Sequence, residues 1–150
     1  MQLGWRGLAA ALVMSGLALA GCNSGNPMGP DRNDAGGTGG VIVGPTWRLV
    51  SIDGQPPIEG TTLTAIFSED ARVAGSAGCN RYFGRADAET GRMRVGPLGS
   101  TLMACEANGV MTQEQRFLEL LQSASSYSVI GDQLRLGPSA STVTLVFLAQ

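Results

Sequence analysis

The side chains that most often carry out chemistry are scarce in this 150-residue chain, which has three cysteines and no histidine. All ten basic residues are arginine, so neither an imidazole nor an amine side chain is available as general base or activated nucleophile. The carboxylates Glu69, Asp70, Asp87 and Glu89 fall at predicted turns, where acidic residues are ordinary. We therefore expect no enzyme, no cofactor and no metal site.

The amino-terminal residues combine one basic side chain, an apolar run and a cysteine. Arg6 precedes a stretch, residues 7–19, that is too short to span a bilayer. The stretch ends in Leu19-Ala20-Gly21-Cys22, which resembles the lipobox of bacterial lipoproteins. That resemblance implies a signal peptide of residues 1–21 and lipid on Cys22, which would hold the chain at a membrane. Two alternatives stay open: cleavage at another site with an unmodified Cys22, and an uncut membrane helix.

The residue after Cys22 and the net charge indicate where the anchored chain acts. By analogy with the lipoproteins of enteric bacteria, an asparagine rather than an aspartate after the lipidated cysteine, here Asn23, favours the outer membrane. We therefore expect a lipid-anchored protein of the bacterial envelope on the periplasmic face of that membrane. Without residues 1–21, nine arginines face twelve acidic residues, a net charge of about −3. A negative net charge does not indicate binding to nucleic acid or to anionic lipid head groups. We therefore expect the protein to be attached to the membrane through the lipid on Cys22 and to have an envelope protein as its partner.

Cys79 and Cys105 are the cysteines that remain once Cys22 carries lipid. In an oxidising compartment such a pair favours a disulfide. Closing the loop between them would stabilise the fold by roughly 3–4 kcal/mol in the chain-entropy model. The alternative is two buried free thiols.

Composition divides the chain at Trp47. Residues 22–46 are rich in Gly, Asn, Asp and Pro and cannot bury a core, so we interpret them as the lipidated cysteine and a flexible linker. From residue 47 to 150, short alternating apolar segments between turn residues predict one domain of antiparallel strands. The predicted strands are residues 47–52, 62–67, 72–76, 81–88, 93–95, 126–130, 133–136 and 142–148.

One stretch, residues 111–124, has helical periodicity. Phe117 and the leucines one turn later share a face, whereas Glu114 is expected elsewhere. Thr112 with Gln115 predicts a capping box at the start of the helix. Eight strands and one helix predict a mainly β (α+β) fold, a small antiparallel β-barrel-like domain with the helix on one opening or side.

Three stretches of the domain carry more specific patterns. They are Thr-Trp-Arg-Leu at residues 46–49, the Gly-Cys-Asn motif within residues 75–84 and Thr-x-x-x-Cys within residues 100–105. With the hairpin at residues 131–136, they resemble the META/HslJ family (DUF306-like) of bacterial envelope proteins. The resemblance implies a compact barrel-like domain, links to heat stress and antibiotic tolerance, and no enzymatic activity.

The glycine-rich bend around the Gly-Cys-Asn motif has two interpretations. In the structural one, its glycines allow close backbone approach and the disulfide joins it to the segment before the helix. In the functional one, Asn80, Arg81, Tyr82 and Arg85 form the rim of a ligand or partner site. The two arginines could then face the same side of a strand and meet a carboxylate or phosphate.

For the whole domain we expect a non-enzymatic, stress-related binding or interaction module. One alternative is a lipoprotein inhibitor of a lysozyme or protease. The other is a small-ligand carrier, which needs a barrel interior not filled by the aromatic residues. Those residues are Trp47, Phe67, Phe83, Phe117 and Phe147.

Overall fold

The computed structural model describes residues 41–150, which form a closed barrel of eight antiparallel strands with one helix. In chain order the elements are β1 Thr46–Ile52, β2 Thr64–Ser68, β3 Arg72–Ser76, β4 Arg81–Glu89, β5 Arg92–Ser100, α1 Val110–Ser123, β6 Ser126–Ile130, β7 Gln133–Gly137 and β8 Leu145–Ala149. Each strand pairs with the next along the chain, and β8 returns to β1. The prediction of a mainly β, barrel-like fold with one helix is confirmed.

The packed domain begins at Ile42, before the boundary predicted at Trp47. Ile42 is buried, and its carbonyl accepts a 2.7 Å hydrogen bond from the indole Nε1 of Trp47. Val43 forms an isolated bridge with Phe67. The end of the predicted 22–46 linker therefore packs on the barrel, because Ile42 and Val43 supply apolar side chains. The predicted signal peptide, Cys22 and the linker up to residue 40 lie outside the described residues.

Side chains alternate between the interior and exterior of the barrel, as the pleat of a strand requires. In β1, Trp47 and Leu49 are buried while Arg48 between them is exposed. Four of the five aromatic residues considered above are buried in one cluster with the aliphatic core, namely Trp47, Phe67, Phe117 and Phe147. Phe83 is the exception, because it points outward from β4 and is 62% exposed. The interior of the described domain is thus filled by side chains.

Helix α1 begins at Val110, one residue earlier than predicted, and its apolar face enters the barrel. The ring of Phe117 makes edge-to-face contacts with Tyr82 and Phe147, at centroid distances of 5.5 and 6.3 Å. The predicted capping box is wrong, because the N-cap is Gly109 and no side chain caps the helix.

No helix within residues 41–150 has the length and apolar character needed to cross a membrane.

Two strands differ from their predicted limits. Strand β5 runs to Ser100, whereas the pattern predicted only residues 93–95, because Gly96, Pro97 and Gly99 obscure the alternation. A register shift between Gly84 and Ala86 of β4 accommodates one extra residue in β5, since these two residues pair with Leu98 and Val95. The last strand starts at Leu145 rather than residue 142, since the preceding segment forms only a local bridge.

Candidate functional site

Two connections meet at one end of the barrel. Successive turns of an antiparallel meander alternate between the ends, so the bend at residues 77–80 lies on the same end as the loop at residues 101–109. The turn at residues 69–71 lies at the other end, where Ile42 and Val43 pack. We call the end that carries the 77–80 bend and the 101–109 loop the disulfide end, because Cys79 and Cys105 form a disulfide there with Cα atoms 6.1 Å apart.

The disulfide prediction is therefore confirmed, and the bond joins the bend to the 101–109 loop. The glycines of the bend have the structural role that was expected. A Cβ at Gly75 would lie 2.0 Å from the carbonyl oxygen of Thr64, so only glycine lets β3 approach this close to the neighbouring backbone. Gly78 has a φ of +111°, a conformation that few other residues adopt.

Asn80 is buried and divides its whole hydrogen-bonding capacity between the 101–109 loop and Glu114 of α1. Its Nδ2 donates to the carbonyl of Met103 at 3.0 Å and to Oε1 of Glu114 at 2.8 Å. Its Oδ1 accepts from the Thr101 hydroxyl and from the Met103 backbone N–H, both at 2.7 Å. An amide offers two donors and two acceptor lone pairs, so all four positions are filled and aspartate could not replace it.

Glu114 reaches this network from α1 and is only 5% exposed. Its Oε2 accepts from the backbone N–H groups of Asn80 at 2.7 Å and Cys79 at 3.3 Å. Together with the Asn80 side chain, three N–H donors therefore solvate the carboxylate, and no arginine within residues 41–150 forms an ion pair with it. The expectation that Glu114 lies away from the packed face was wrong. It precedes Phe117 by three residues, a spacing that places both on one side of a helix.

Three further hydrogen bonds tie α1 and β4 to the same end. Gln113 accepts from the backbone N–H of Ile58 at 2.6 Å and donates to the hydroxyl of Thr61 at 3.1 Å. The hydroxyl of Tyr82 donates to the carbonyl of Thr64 at 2.8 Å. No sequence pattern indicated these partners, because they lie on segments distant along the chain.

The predicted rim residues divide into two pairs. Asn80 and Tyr82 are buried, so they support the disulfide end from beneath and do not line an exposed rim. Alternation along β4 explains this for Tyr82, whose neighbours on either side face solvent. Arg81 and Arg85 are exposed on the outer face of the barrel, as the rim hypothesis requires.

A groove of about 510 Å³ lies beside the disulfide, and we call it the disulfide groove. Its lining residues are Ser76, Cys79, Arg81, Thr101 and Met103. Leu102 and Met103 are 96% and 58% exposed although their loop is fixed by the disulfide and by Asn80. Sequence reasoning missed these two side chains, because a Leu-Met pair is usually part of a core. Within residues 41–150, no three His, Cys, Asp or Glu side chains gather in a way that could hold a metal ion.

Removing the disulfide is expected to lower the free energy of unfolding by about 3.5 kcal/mol in the chain-entropy model. The test is urea denaturation of the full chain with Cys79→Ala and Cys105→Ala together. Reductant should destabilise the wild type by a similar amount and leave the double variant unchanged. Alkylation of both cysteines in the folded wild type without reductant would contradict the bond.

Stability should also fall at alkaline pH because of Tyr82. Burial raises the pKa of the Tyr82 phenol far above its usual range. The unfolded chain then releases this proton near pH 10 while the folded chain retains it, so the stabilisation is complete below about pH 10 and is lost above it. The expected slope is near zero below about pH 10 and approaches about 1.4 kcal/mol per pH unit above it.

The measurement is urea denaturation between pH 9 and 11 for the wild type and for Tyr82→Phe, which lacks the ionisable group. The chain has no lysine, so no lysine titration obscures the comparison. Equal pH slopes for the two proteins would contradict the assignment to Tyr82.

Comparison with known proteins gives one family and one architecture. A family model described as META domain matches residues 41–150. An NMR structure of a protein from Burkholderia xenovorans is 26% identical, with a TM-score of 0.58 over 73% of this chain and 83% of that one. No curated protein matches the chain.

Two other solved structures are similar in fold. Another NMR structure is 24% identical, with a TM-score of 0.55 over 69% of this chain and 88% of that one. A crystal structure of a DUF4847 family protein from Bacteroides vulgatus is 16% identical, with a TM-score of 0.52 over 72% and 94% of the two chains.

Proposed function

Because the chain belongs to the META domain family, we propose that it is a non-enzymatic binding module of the bacterial envelope that engages an envelope protein through the disulfide groove. The observation that carries the proposal is the pair Leu102 and Met103, which are exposed on a loop that the fold holds in place. Apolar side chains kept rigid and in solvent are typical of binding surfaces, because binding them costs little conformational entropy.

The expected anchor agrees with the position of this groove. We propose that Cys22 carries lipid and that the following residues tether the domain to the periplasmic face of the outer membrane. The described chain enters the barrel at Ile42, at the end opposite the disulfide groove.

A role under stress is part of the proposal and leads to an in-cell experiment. A photo-reactive phenylalanine analogue placed at Leu102 should crosslink to a discrete partner, with a higher yield after heat stress. The control places the same analogue at Ile130, which is 57% exposed on β6 and outside both the groove and the 101–109 loop that carries Leu102. Mass spectrometry identifies the adduct. Equal yields from the two positions, with and without heat, would contradict the proposal.

Inhibition of a lysozyme or protease is the second candidate function. It is favoured by the exposure of Leu102 on the 101–109 loop, because an apolar side chain on a disulfide-held loop can enter the cleft of a hydrolase. An inhibitor should form a tight one-to-one complex with a purified hydrolase and lose it on Leu102→Asp. The carrier alternative has less support, because aromatic and aliphatic side chains fill the interior of the described barrel.

The anchor itself is tested by metabolic labelling. Cells that express the full chain are grown with alkyne-tagged palmitate, and the protein is then examined for the tag. We expect label on the wild type and none on Cys22→Ser. Unlabelled wild-type protein, or label that persists in Cys22→Ser, would argue against lipid on Cys22.

A further inference from the structure

The outer face of β4 carries both positive and negative side chains. In the carboxyl-terminal half of the strand these charges are balanced by β5. Asp87 lies directly opposite Arg94 of β5, and Glu89 lies directly opposite Arg92. Opposite charges in such cross-strand positions attract. The formal charges of this half therefore cancel across β4 and β5, although none of these four side chains lies within ion-pair distance of another.

The amino-terminal half of the same face, which carries Arg81 and Arg85, has unbalanced positive charge. Arg85 lies directly opposite Arg72 of β3, an arrangement of like charges that destabilises a sheet. Arg72 has Asp70 within 3.0 Å, but neither Arg81 nor Arg85 has a carboxylate within ion-pair distance among residues 41–150. Arg81 faces the neutral Ser76 across the strands. This part of the face is thus complementary to an anion.

An exposed aromatic ring separates the two unpaired arginines. Phe83 points outward between Arg81 and Arg85, and its ring rests on β5, since a Cβ at Gly99 would lie only 3.1 Å from it. The ring offers a fixed apolar surface with a cation on each side. We call Arg81, Phe83 and Arg85 the β4 patch, and it adjoins the disulfide groove because Arg81 lines both.

We propose that the β4 patch binds an extended acidic segment of the partner protein, with an apolar side chain held between two carboxylates. The inference rests on the proposed function and names the chemistry of the partner. Side chains on one face of an extended chain repeat about every 7 Å, so acidic residues on either side of an apolar one match the arginine–phenylalanine–arginine order of β4. Each guanidinium can bind a carboxylate through two parallel hydrogen bonds.

A polypeptide fits this patch better than a membrane surface does. The patch lies on the side wall of the barrel and continues toward the end away from Ile42, where the described chain begins. The chain as a whole is acidic, with a formal net charge of −2, so it is not drawn to anionic lipid by its overall field. Its positive charge is local and alternates with an apolar ring, which favours a short complementary segment.

The test selects short random peptides displayed on phage against the full chain purified from the envelope. Peptides with acidic residues at i and i+4 and an apolar residue at i+2 should be enriched. Arg81→Gln with Arg85→Gln should lower that enrichment at least about tenfold, the loss expected for two charge-assisted contacts. The matched control, Arg94→Gln with Arg135→Gln, removes two arginines outside the patch and should retain it.

Three results would overturn the inference: enrichment of basic or uncharged peptides, equal enrichment by both double variants, and binding to phosphatidylglycerol vesicles that needs Arg81 and Arg85 without any acidic peptide preference. Thermal unfolding of each variant verifies that it is folded. If the Leu102 crosslink captures a partner but no acidic class is enriched, the binding module stands and the partner chemistry is wrong. If acidic peptides are enriched but no partner is captured in cells, the patch stands and the envelope role fails.

Discussion

Replacing Asn80 with alanine is expected to lower the free energy of unfolding by about 4 kcal/mol. The substitution removes four hydrogen bonds and leaves the backbone of Met103 without its partners. It also takes one of three N–H donors from the buried carboxylate of Glu114. Urea denaturation of the full chain, followed by circular dichroism, measures the loss.

The matched control is Asn108→Ala, which truncates an exposed asparagine in the same loop and should change stability by less than about 0.5 kcal/mol. A double-mutant cycle with Glu114→Gln isolates the direct contact. We expect a coupling energy of about 1.5–3 kcal/mol between positions 80 and 114, because the two side chains share one buried network. Additive effects, or a loss below about 1 kcal/mol for Asn80→Ala, would contradict this role.

Phe117→Ala should lower the free energy of unfolding by a similar amount, about 4 kcal/mol. The ring is fully buried and lies between Tyr82 and Phe147, so its removal leaves a cavity where the helix enters the barrel. The same change weakens the hold of α1 on the disulfide end, since Glu114 lies on the same face of the helix.

Urea denaturation also measures this effect, with Met111→Ala as the control on the same helix. Met111 is partly exposed, so its truncation leaves no enclosed cavity and should cost less than about 1 kcal/mol. Equal losses for the two variants would mean that α1 does not enter the core as described.

The barrel could be predicted from the sequence because most of its information is local. Alternation identified the first four strands and the hairpin of β6 and β7, and the spacing of Phe117 and the leucines identified α1. The length of β5 could not be predicted, since Pro97 and two glycines are usually turn residues. They are tolerated because β5 is hydrogen-bonded to β6 at a single residue pair, so much of it behaves as an edge strand.

The candidate site was only partly predictable. Counting cysteines gave the disulfide, and a glycine-rich bend pointed to the correct end of the barrel. The partner of Asn80 could not be found in this way, because Glu114 is 34 residues away and its burial depends on how α1 docks. The Gly-Cys-Asn motif therefore has a supporting role, and the exposed residues that contact a partner in our proposal, Leu102, Met103 and Phe83, lie outside it.

Hydrogen–deuterium exchange at the amide of Met103 tests the central claim most directly. That claim is that the disulfide end holds an exposed apolar loop in one conformation. The Met103 N–H donates to the buried Asn80, so its exchange should be slow in the full chain although the side chain is exposed, and fast in Asn80→Ala. Rapid exchange of Met103 in the folded wild type, equal to that of an unstructured peptide, would contradict the account.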